Sequence, residues 1–402
     1  MIPKTDTDSR NSSASIKTIL VINAIQAMVE LLGSPRGLIL ACSLLLSPHA
    51  QSAVQFQFQT SGQGPFSHAT LGPVRTQALQ EAGQIVGQWF NHTATIQINV
   101  IAFNTPGNGV LAGASTYYAA PAVGQSGFRS GVVSHKIRTQ LDQNGSSADG
   151  LLEINFAWNW DYDDDIGSAA IDFKSTIIHE LLHLCGFTSE LDFAGTDVYG
   201  TPPGTPGIWE PFERYLTNVG GQPIIATDFR LNFSRWQAVR TGGSSPASGL
   251  FFSGPKAIIA NGGLPVGLYS PTTWEEASSA AHLDDTNPAL ANYLMDARLV
   301  PGPSTRRLSS IERAILEDIG YTMNPISAPN IIDLKTPAGI STINLQANPG
   351  MRLAIQSSTD RVNWTLRDTQ FVSNRQSYSR TITLPTLAPK KSYWIRLHEL
   401  LP

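Results

Sequence analysis

The chain has 402 residues, of which 41% are hydrophobic and 14% are charged, and its formal net charge at pH 7 is -4. This length exceeds that of a usual single domain, so we expect two folded units, with ample chain for a substantial core in the larger one. The slightly negative charge provides no cationic field, which argues against nucleic acid and anionic membrane surfaces as partners.

Residues 1–53 have the composition of a signal or leader segment. An apolar run at residues 37–47 follows Arg36 and precedes small residues, which is typical of a cleaved signal peptide. The run is too short to span a bilayer, so we predict cleavage between Ala50 and Ala53 and a secreted, periplasmic or cell-surface protein. The alternative is an uncleaved membrane anchor formed together with residues 19–32. Cleavage would remove Cys42 and leave Cys185, whose apolar neighbours indicate a buried thiol without a disulfide partner.

A strand, a helix and a second strand are predicted to follow the leader, at residues 54–59, 75–90 and 96–103. Residues 151–160 alternate between apolar and polar side chains, which predicts a half-exposed strand. An acidic loop with four aspartates follows at residues 161–165. Calcium binding there is one interpretation, but the spacing of a known calcium loop is absent, so a solvated turn is favoured.

Residues 175–185 have the apolar pattern of a helix, which Asp172 can cap and Gly186 can end. Residues 187–270 are rich in glycine and proline and are only weakly periodic, so they are interpreted as a long insertion with a short helix near residues 209–216. Residues 308–319 predict another helix, and the larger domain is expected to close at residue 325. Residues 326–402 show short alternating runs, which predict a small all-β module for binding a surface or another protein.

The predicted helix at residues 175–185 carries His179, Glu180 and His183. Histidines four residues apart lie on one face of a helix, close enough to bind one metal ion, and zinc accepts imidazole nitrogens. Glu180 can take a proton from a metal-activated water and pass it to a leaving amine. The alternative, two satisfied histidines on a core helix, must also account for a buried glutamate. A catalytic zinc needs a third protein ligand from elsewhere in the chain.

Residues 179–187 read HELLHLCGF and resemble the start of the metzincin signature of zinc metallopeptidases. The position that usually holds the third histidine is Ser189, which is a poor zinc ligand. The leishmanolysin-like branch of the metzincins has a delayed third histidine, and residues 278–283, SSAAHL, resemble its later segment. The resemblance therefore implies His282 as the third ligand. A glycine often precedes the serine pair in these relatives, whereas this chain has Ala277.

The resemblance extends to residues 293–295, YLM, which are similar to the Met-turn and place Met295 in the packing beneath the metal. Residues 308–321 are similar to the closing helix of exported bacterial relatives. Residues 355–360 and 393–397 resemble a β-sandwich module that is appended to exported bacterial proteins. A carboxylate third ligand, as in the thermolysin-like class, remains an alternative, and the candidates are Glu275, Glu276, Asp284 and Asp285.

Together these patterns predict an α+β protein. Residues 54–325 form a metzincin-like catalytic domain with a twisted mixed sheet and an active-site helix, and residues 326–402 form a small β-sandwich. The predicted function is an exported zinc endopeptidase with one catalytic zinc and a protein or peptide substrate, which adds a strand to the sheet near residues 151–159. The alternatives are a secreted binding or adhesion protein with a zinc-stabilised, inactive domain, and an enzyme that hydrolyses a non-peptide amide.

Overall fold

The computed structural model describes residues 54–60, 62, 64–107, 109–243, 248–286, 293–326, 329–335, 340–347, 350–372, 378–383 and 394–400. The predicted leader and its cleavage site lie outside the described residues. Among the residues that are described, no helix combines the length and apolar character needed to cross a membrane.

The larger part of the protein is built on a four-stranded mixed sheet. Its two central strands contain alternating buried side chains, as Ile96, Ile98 and Val100 show in one of them. The strands lie in the order β1-β2-β5-β3, and only β3 is antiparallel to its neighbour. They are β1 (Val54–Thr60), β2 (Ala94–Phe103), β3 (Ala112–Thr116) and β5 (Gly150–Asn155). A mixed sheet combined with helices is compatible with the predicted α+β class.

Helix α1 (Leu71–Gly87) connects β1 to β2 and confirms the predicted strand, helix and strand. Its buried face carries Leu79, Ala82 and Val86, which have the spacing of one helical stripe. The helix begins four residues before the predicted start, because Leu71, Gly72 and Pro73 carry no apolar periodicity.

The predicted strand at residues 151–160 was wrong in two respects. Strand β5 ends at Asn155, whose side-chain amide donates to the carbonyl oxygens of Thr105 and Val110, at 3.0 Å each. Trp160 belongs to a separate short pair, β6 (Trp160–Asp161) and β7 (Ile171–Asp172). Since β5 lies between β2 and β3, it has no free edge, and a substrate cannot extend the sheet there. Among the described strands, the edge beside β5 is β3.

Helix α3 (Phe173–Leu184) confirms the predicted helix around the histidine pair. The Asp172 carboxylate accepts a hydrogen bond from the Ser175 amide at 3.0 Å, so it satisfies one of the free donors of the first turn. Gly186 follows the helix with φ of 87°, a left-handed conformation that turns the chain back at little cost. Every residue of the helix except His179 is buried, so its position is determined by packing on all sides.

An ion-pair network anchors the start of α3. The Arg306 guanidinium contacts Asp172 at 2.8 Å and Asp164 at 2.8 Å, and Lys174 contacts Asp164 at 2.7 Å. Asp164 belongs to the acidic loop that sequence reasoning left open to calcium. Its carboxylate already has two cationic partners, which supports the interpretation of the loop as a structural turn.

Replacing Arg306 by methionine is expected to destabilise the protein by about 3–5 kcal/mol, because it leaves the Asp172 carboxylate buried without its counter-charge. The Arg306 and Asp172 side chains are only 3% and 1% exposed. Thermal or urea unfolding measures the change. The control is Arg230→Met, since Arg230 pairs with Asp228 in solvent and its loss should have little effect. Equal stability of Arg306→Met and wild type would contradict the anchoring role.

The predicted insertion is more regular than its composition indicates. Its strand β8 (Ile208–Trp209) pairs with β4 (Gly127–Phe128), which precedes the insertion, and a three-stranded sheet lies within the insertion itself. The predicted short helix near residues 209–216 is a three-residue 3-10 helix, Glu213–Tyr215. Trp209, Phe212 and Trp236 are fully buried and join the main core. The remaining elements are α2 (Val132–Thr139), β9 (Leu216–Thr217), α4 (Phe233–Val239), β10 (Leu250–Phe252), α5 (Pro255–Ala260) and β11 (Val266–Leu268).

Helix α6 (Ser310–Asp318) confirms the helix predicted at residues 308–319. It begins with a capping box, in which the Ser309 hydroxyl accepts from the Glu312 amide and the Glu312 carboxylate accepts from the Ser309 amide. Glu312 is fully buried.

The C-terminal residues form two three-stranded antiparallel sheets around a separate hydrophobic cluster, which includes Leu345, Leu353 and Ile355. The sheets have the orders β12-β13-β16 and β15-β14-β17. Four of these strands match predicted runs, and β12 and β15 were not predicted. The sandwich interpretation and the domain boundaries stay predictions. The strands are β12 (Asn330–Lys335), β13 (Ile340–Gln346), β14 (Arg352–Ser358), β15 (Thr365–Phe371), β16 (Tyr378–Thr383) and β17 (Trp394–Leu400).

Candidate metal centre

Helix α3 presents His179 and His183 on one face, one helical turn apart. His282 reaches the same place from a loop that is held by backbone hydrogen bonds. The His282 carbonyl accepts from the Tyr269 amide at 2.9 Å, and the next amide, of Leu283, donates to the Met295 carbonyl at 2.9 Å. The structure therefore brings together the three histidines that the sequence analysis selected.

The three imidazoles meet at their Nε2 atoms. His179 Nε2 lies 3.0 Å from His183 Nε2 and 3.0 Å from His282 Nε2, and the third distance is 3.1 Å. A tetrahedral zinc with bonds of about 2.0–2.1 Å would separate its ligand nitrogens by roughly 3.3 Å. The triangle is thus close to the size that one ion requires, and the histidines are close enough to bind a metal ion.

The other ring nitrogen of each histidine is committed to a backbone carbonyl. The Nδ1 atoms of His179, His183 and His282 lie 2.7, 2.8 and 2.8 Å from the carbonyl oxygens of Leu294, Phe187 and Ser278, respectively. Carbonyl oxygens only accept, so each Nδ1 carries the proton and each Nε2 carries a lone pair. This arrangement fixes both the tautomer and the ring orientation of a metal ligand.

Three lone pairs that face one another at 3.0–3.1 Å repel unless a cation lies between them. Burial lowers the pKa of His179 to about 4 and that of His282 to about 3. The pKa of His183 is also well below its usual value, for the same reason. The imidazoles are therefore neutral at neutral pH, which is the state that binds metal.

Glu180 lies beside the histidines on α3 and is only 7% exposed. Within the described part of the chain its carboxylate makes no hydrogen bond or ion pair. Burial raises the pKa of Glu180 to about 8, and a cation bound by the neighbouring histidines would lower it again. A buried carboxylate without a structural partner is costly for folding, which favours a functional role.

The competing ligands of the sequence analysis have other partners. The Ser189 hydroxyl donates to the Glu213 carboxylate at 3.0 Å, so the position of the usual third ligand is tied to the insertion. Glu275 pairs with Arg298 at 2.9 Å. Within the described residues, only His179, His183 and His282 form a group that could hold a metal ion. The remaining contacts are Glu276 with Trp274, Asp284 with Thr286, and Asp285 with Arg298.

The loop that carries His282 contains a strained backbone position. Ala277 is exposed and has φ of 63°, in the left-handed region that glycine adopts freely. Two residues later the Ser279 hydroxyl accepts from the Glu275 amide at 2.9 Å, which keeps this turn closed.

Replacing Ala277 by glycine is expected to stabilise the protein, by about 1 kcal/mol at most, because it relieves the left-handed strain without removing buried surface. A small rise in melting temperature checks this. Ala169 is exposed and has no positive φ, so Ala169→Gly should be neutral or slightly destabilising. A fall in stability for Ala277→Gly would show that the turn carries no such strain.

The predicted insertion contains a buried acidic cluster, which sequence reasoning missed. Burial raises the pKa of Glu210 to about 8 and that of Glu213 to about 7. The charges of Glu213 and Glu190 raise the pKa of Glu210 further, and that of Glu190 also raises the pKa of Glu213. The Glu213 carboxylate accepts from the amides of Glu190 and Glu210 at 2.7 Å each. The Tyr118 hydroxyl donates to Glu190 at 3.1 Å. Glutamate in a sequence usually indicates an exposed side chain, so only the structure reveals this cluster of three carboxyl groups.

The stability of the protein is expected to fall as pH rises from about 5 to about 8, since the Glu210 pKa is raised from its usual value to about 8. The folded state holds this proton above the pH at which the unfolded chain loses it, so the stabilisation is present at low pH and is lost through the folded-state pKa. Glu210→Gln should reduce the slope of the unfolding free energy against pH by the contribution of about one proton. Unfolding at several pH values tests this, with exposed Glu153→Gln as control, and an unchanged slope for Glu210→Gln would contradict it.

Comparisons with protein-family models, with curated proteins and with solved structures found no match for this chain.

Proposed function

We propose that this protein is a zinc-dependent endopeptidase of the metzincin type. The observation that carries the proposal is the meeting of three Nε2 lone pairs, two of them on the helix that also carries Glu180, a buried carboxylate that has no hydrogen-bond or ion-pair partner among the described residues. Three imidazoles and an open fourth position are typical of a catalytic zinc site, whereas structural zinc sites are closed by four protein ligands. The metzincin resemblance adds Gly186, which turns the chain after the motif, and Met295, which is fully buried next to the carbonyl partner of His179.

Zinc bound by the three histidines would supply Lewis-acid activation of a water molecule and of the scissile carbonyl group. Glu180 follows His179 directly and precedes His183 by less than one turn of α3. We propose that its carboxylate faces the open side of the site. Its carboxylate takes the proton of the attacking water and then donates it to the leaving amine nitrogen. The carbonyl acceptors on the Nδ1 atoms hold the imidazoles still while this happens.

The substrate is proposed to bind as an extended peptide along β3 rather than along β5. Strand β3 packs against α3 and has no partner on its outer side among the described strands. Backbone hydrogen bonds to such an edge involve every second residue of the added strand. Peptides that are N-methylated at residues whose amides bond to β3 should therefore resist cleavage, whereas peptides N-methylated at the intervening residues should be cleaved.

The test is metal analysis of the purified protein combined with cleavage of a broad peptide library. One zinc per chain and cleavage that stops after zinc removal support the proposal. Full zinc occupancy without cleavage of any peptide would favour the zinc-stabilised binding or adhesion protein. Cleavage of simple amides but not of peptides would favour an amidohydrolase with the same catalytic atoms.

We also propose that the leader directs export of the protein and that the C-terminal strands attach it to a surface or to another protein. Mass spectrometry of secreted protein should find a mature chain that begins between residues 50 and 54. An intact apolar run at residues 37–47 in the mature protein would instead support a membrane-anchored enzyme.

A further inference from the structure

We infer that Glu312 is a positioning residue that sets the metal affinity of the histidine site through the backbone of residues 294–295. The inference rests on the proposed metal site and extends it to a carboxylate that touches neither the metal ligands nor the reacting atoms. The structure shows each contact of the path from Glu312 to two of the three histidines.

Glu312 lies in the first turn of α6 and its side chain is fully buried. Its Oε2 atom accepts from the Ser309 amide at 2.7 Å, which is half of the capping box. Its Oε1 atom accepts from the Met295 amide at 2.8 Å. The Met295 side chain is also fully buried, so no water can take over this hydrogen bond. One carboxylate therefore joins the start of α6 to residues 294–295.

Residues 294–295 hold two of the metal ligands. The Leu294 carbonyl accepts from His179 Nδ1 at 2.7 Å, and the Met295 carbonyl accepts from the amide of Leu283, next to His282, at 2.9 Å. A shift of this short segment would rotate the His179 ring and displace His282 at the same time. The third ligand, His183, is held by the carbonyl oxygen of Phe187, just after the end of its own helix, and this contact does not involve Glu312.

The energetic consequence follows from the geometry of metal binding. Removing a group that orients metal ligands typically weakens metal affinity by about 10- to 100-fold. Glu312 acts on two ligands, so Glu312→Ala is expected to lie toward the upper end of that range. Glu312→Gln keeps one acceptor oxygen. We expect this oxygen to accept from the buried Met295 amide, because the half-buried Ser309 amide can donate to water instead. The glutamine variant should therefore lose the cap but keep most of the metal affinity.

Two further variants separate positioning from stability. Ser309→Ala removes the other half of the capping box and leaves the contact between Glu312 and Met295 in place. Leu316 of α6 is fully buried, so Leu316→Ala leaves a cavity in the core and destabilises the fold. Both should lower the melting temperature of the protein. Neither should change the affinity of the folded protein for zinc.

The experiment is a competition of each variant with a chromophoric chelator for zinc alone, well below the unfolding temperature and without any substrate. A loss of about tenfold or more for Glu312→Ala, with wild-type affinity for Ser309→Ala and Leu316→Ala and near wild-type affinity for Glu312→Gln, supports the inference. Wild-type affinity in Glu312→Ala overturns it, and so does an equal loss in Leu316→Ala. If Glu312→Ala does not fold, Glu312→Gln is compared with Glu312→Leu. Wild-type zinc affinity in Glu312→Gln with a large loss in Glu312→Leu supports the inference. Equal zinc affinities in these two variants overturn it. Failure of the wild-type protein to bind zinc refutes the metal site itself, which is a different result.

Discussion

His282→Ala is expected to abolish stoichiometric zinc binding and all peptidase activity, whereas the rest of the fold should persist. The imidazole of His282 supplies one of three Nε2 atoms that lie within 3.1 Å of one another, and the remaining pair cannot complete a catalytic zinc site. Loss of a direct ligand should weaken affinity by more than the about 10- to 100-fold that is typical of groups behind the ligands. Equilibrium dialysis followed by elemental analysis measures the loss.

The same substitution should remove the effect of zinc on unfolding. A ligand that binds only the folded state stabilises it by about 2.7 kcal/mol at a hundredfold excess over its Kd, so zinc should raise the melting temperature of wild type but not of His282→Ala. His135 lies on α2 outside the triad, and His135→Ala serves as the control for removing a histidine. Retained stoichiometric zinc in His282→Ala would direct attention to Glu275, Glu276, Asp284 and Asp285.

The parts of the site that lie close together in the sequence could be predicted from it. The apolar positions of α3, the cap at Asp172 and the turn at Gly186 are all encoded within a few residues of His179 and His183. Helical spacing then places the two imidazoles on one face without any tertiary information. His282 lies 103 residues from His179, and no local pattern encodes their meeting. Only the resemblance to a delayed third histidine selected it.

The arrangement of the sheet was harder to predict, for a physical reason. Alternation in β5 indicates which face is buried, but it does not indicate which strands flank it. Strand β3 has the sequence AGAST, which lacks the large alternating side chains that reveal a strand. The strand was therefore missed, and the edge of the sheet was assigned to β5 instead of β3.

Buried carboxylates were the second group that sequence reasoning could not place. Glu210, Glu213 and Glu312 are all at most 2% exposed, although glutamate is usually found on surfaces. Each accepts a hydrogen bond from the backbone amide of a residue outside its own turn. The donors are Gly131 for Glu210, Glu190 for Glu213 and Met295 for Glu312. A capping box could be read from Ser309 and Glu312, but the contact with Met295 required the fold.

Glu180→Gln is expected to reduce turnover by about a hundredfold to ten-thousandfold while metal binding and folding are retained. Glutamine has nearly the same size and cannot accept the proton of the attacking water. Among the described residues the Glu180 carboxylate has no hydrogen-bond partner, so the substitution breaks no structural contact. A single residue that performs both proton transfers places the expected loss toward the upper end of the range.

Three measurements on one preparation make this test decisive. Zinc content should remain at one ion per chain, and kcat should fall. The melting temperature should stay close to that of wild type, because the substitution breaks no hydrogen bond among the described residues. Glu153→Gln provides the control for removing one carboxylate, because Glu153 is the exposed residue of β5. If Glu180→Gln with full zinc cleaves peptides at the wild-type rate, Glu180 is not the base. Its burial beside three histidines then has no catalytic explanation, and another group must carry the proton from the attacking water to the leaving amine.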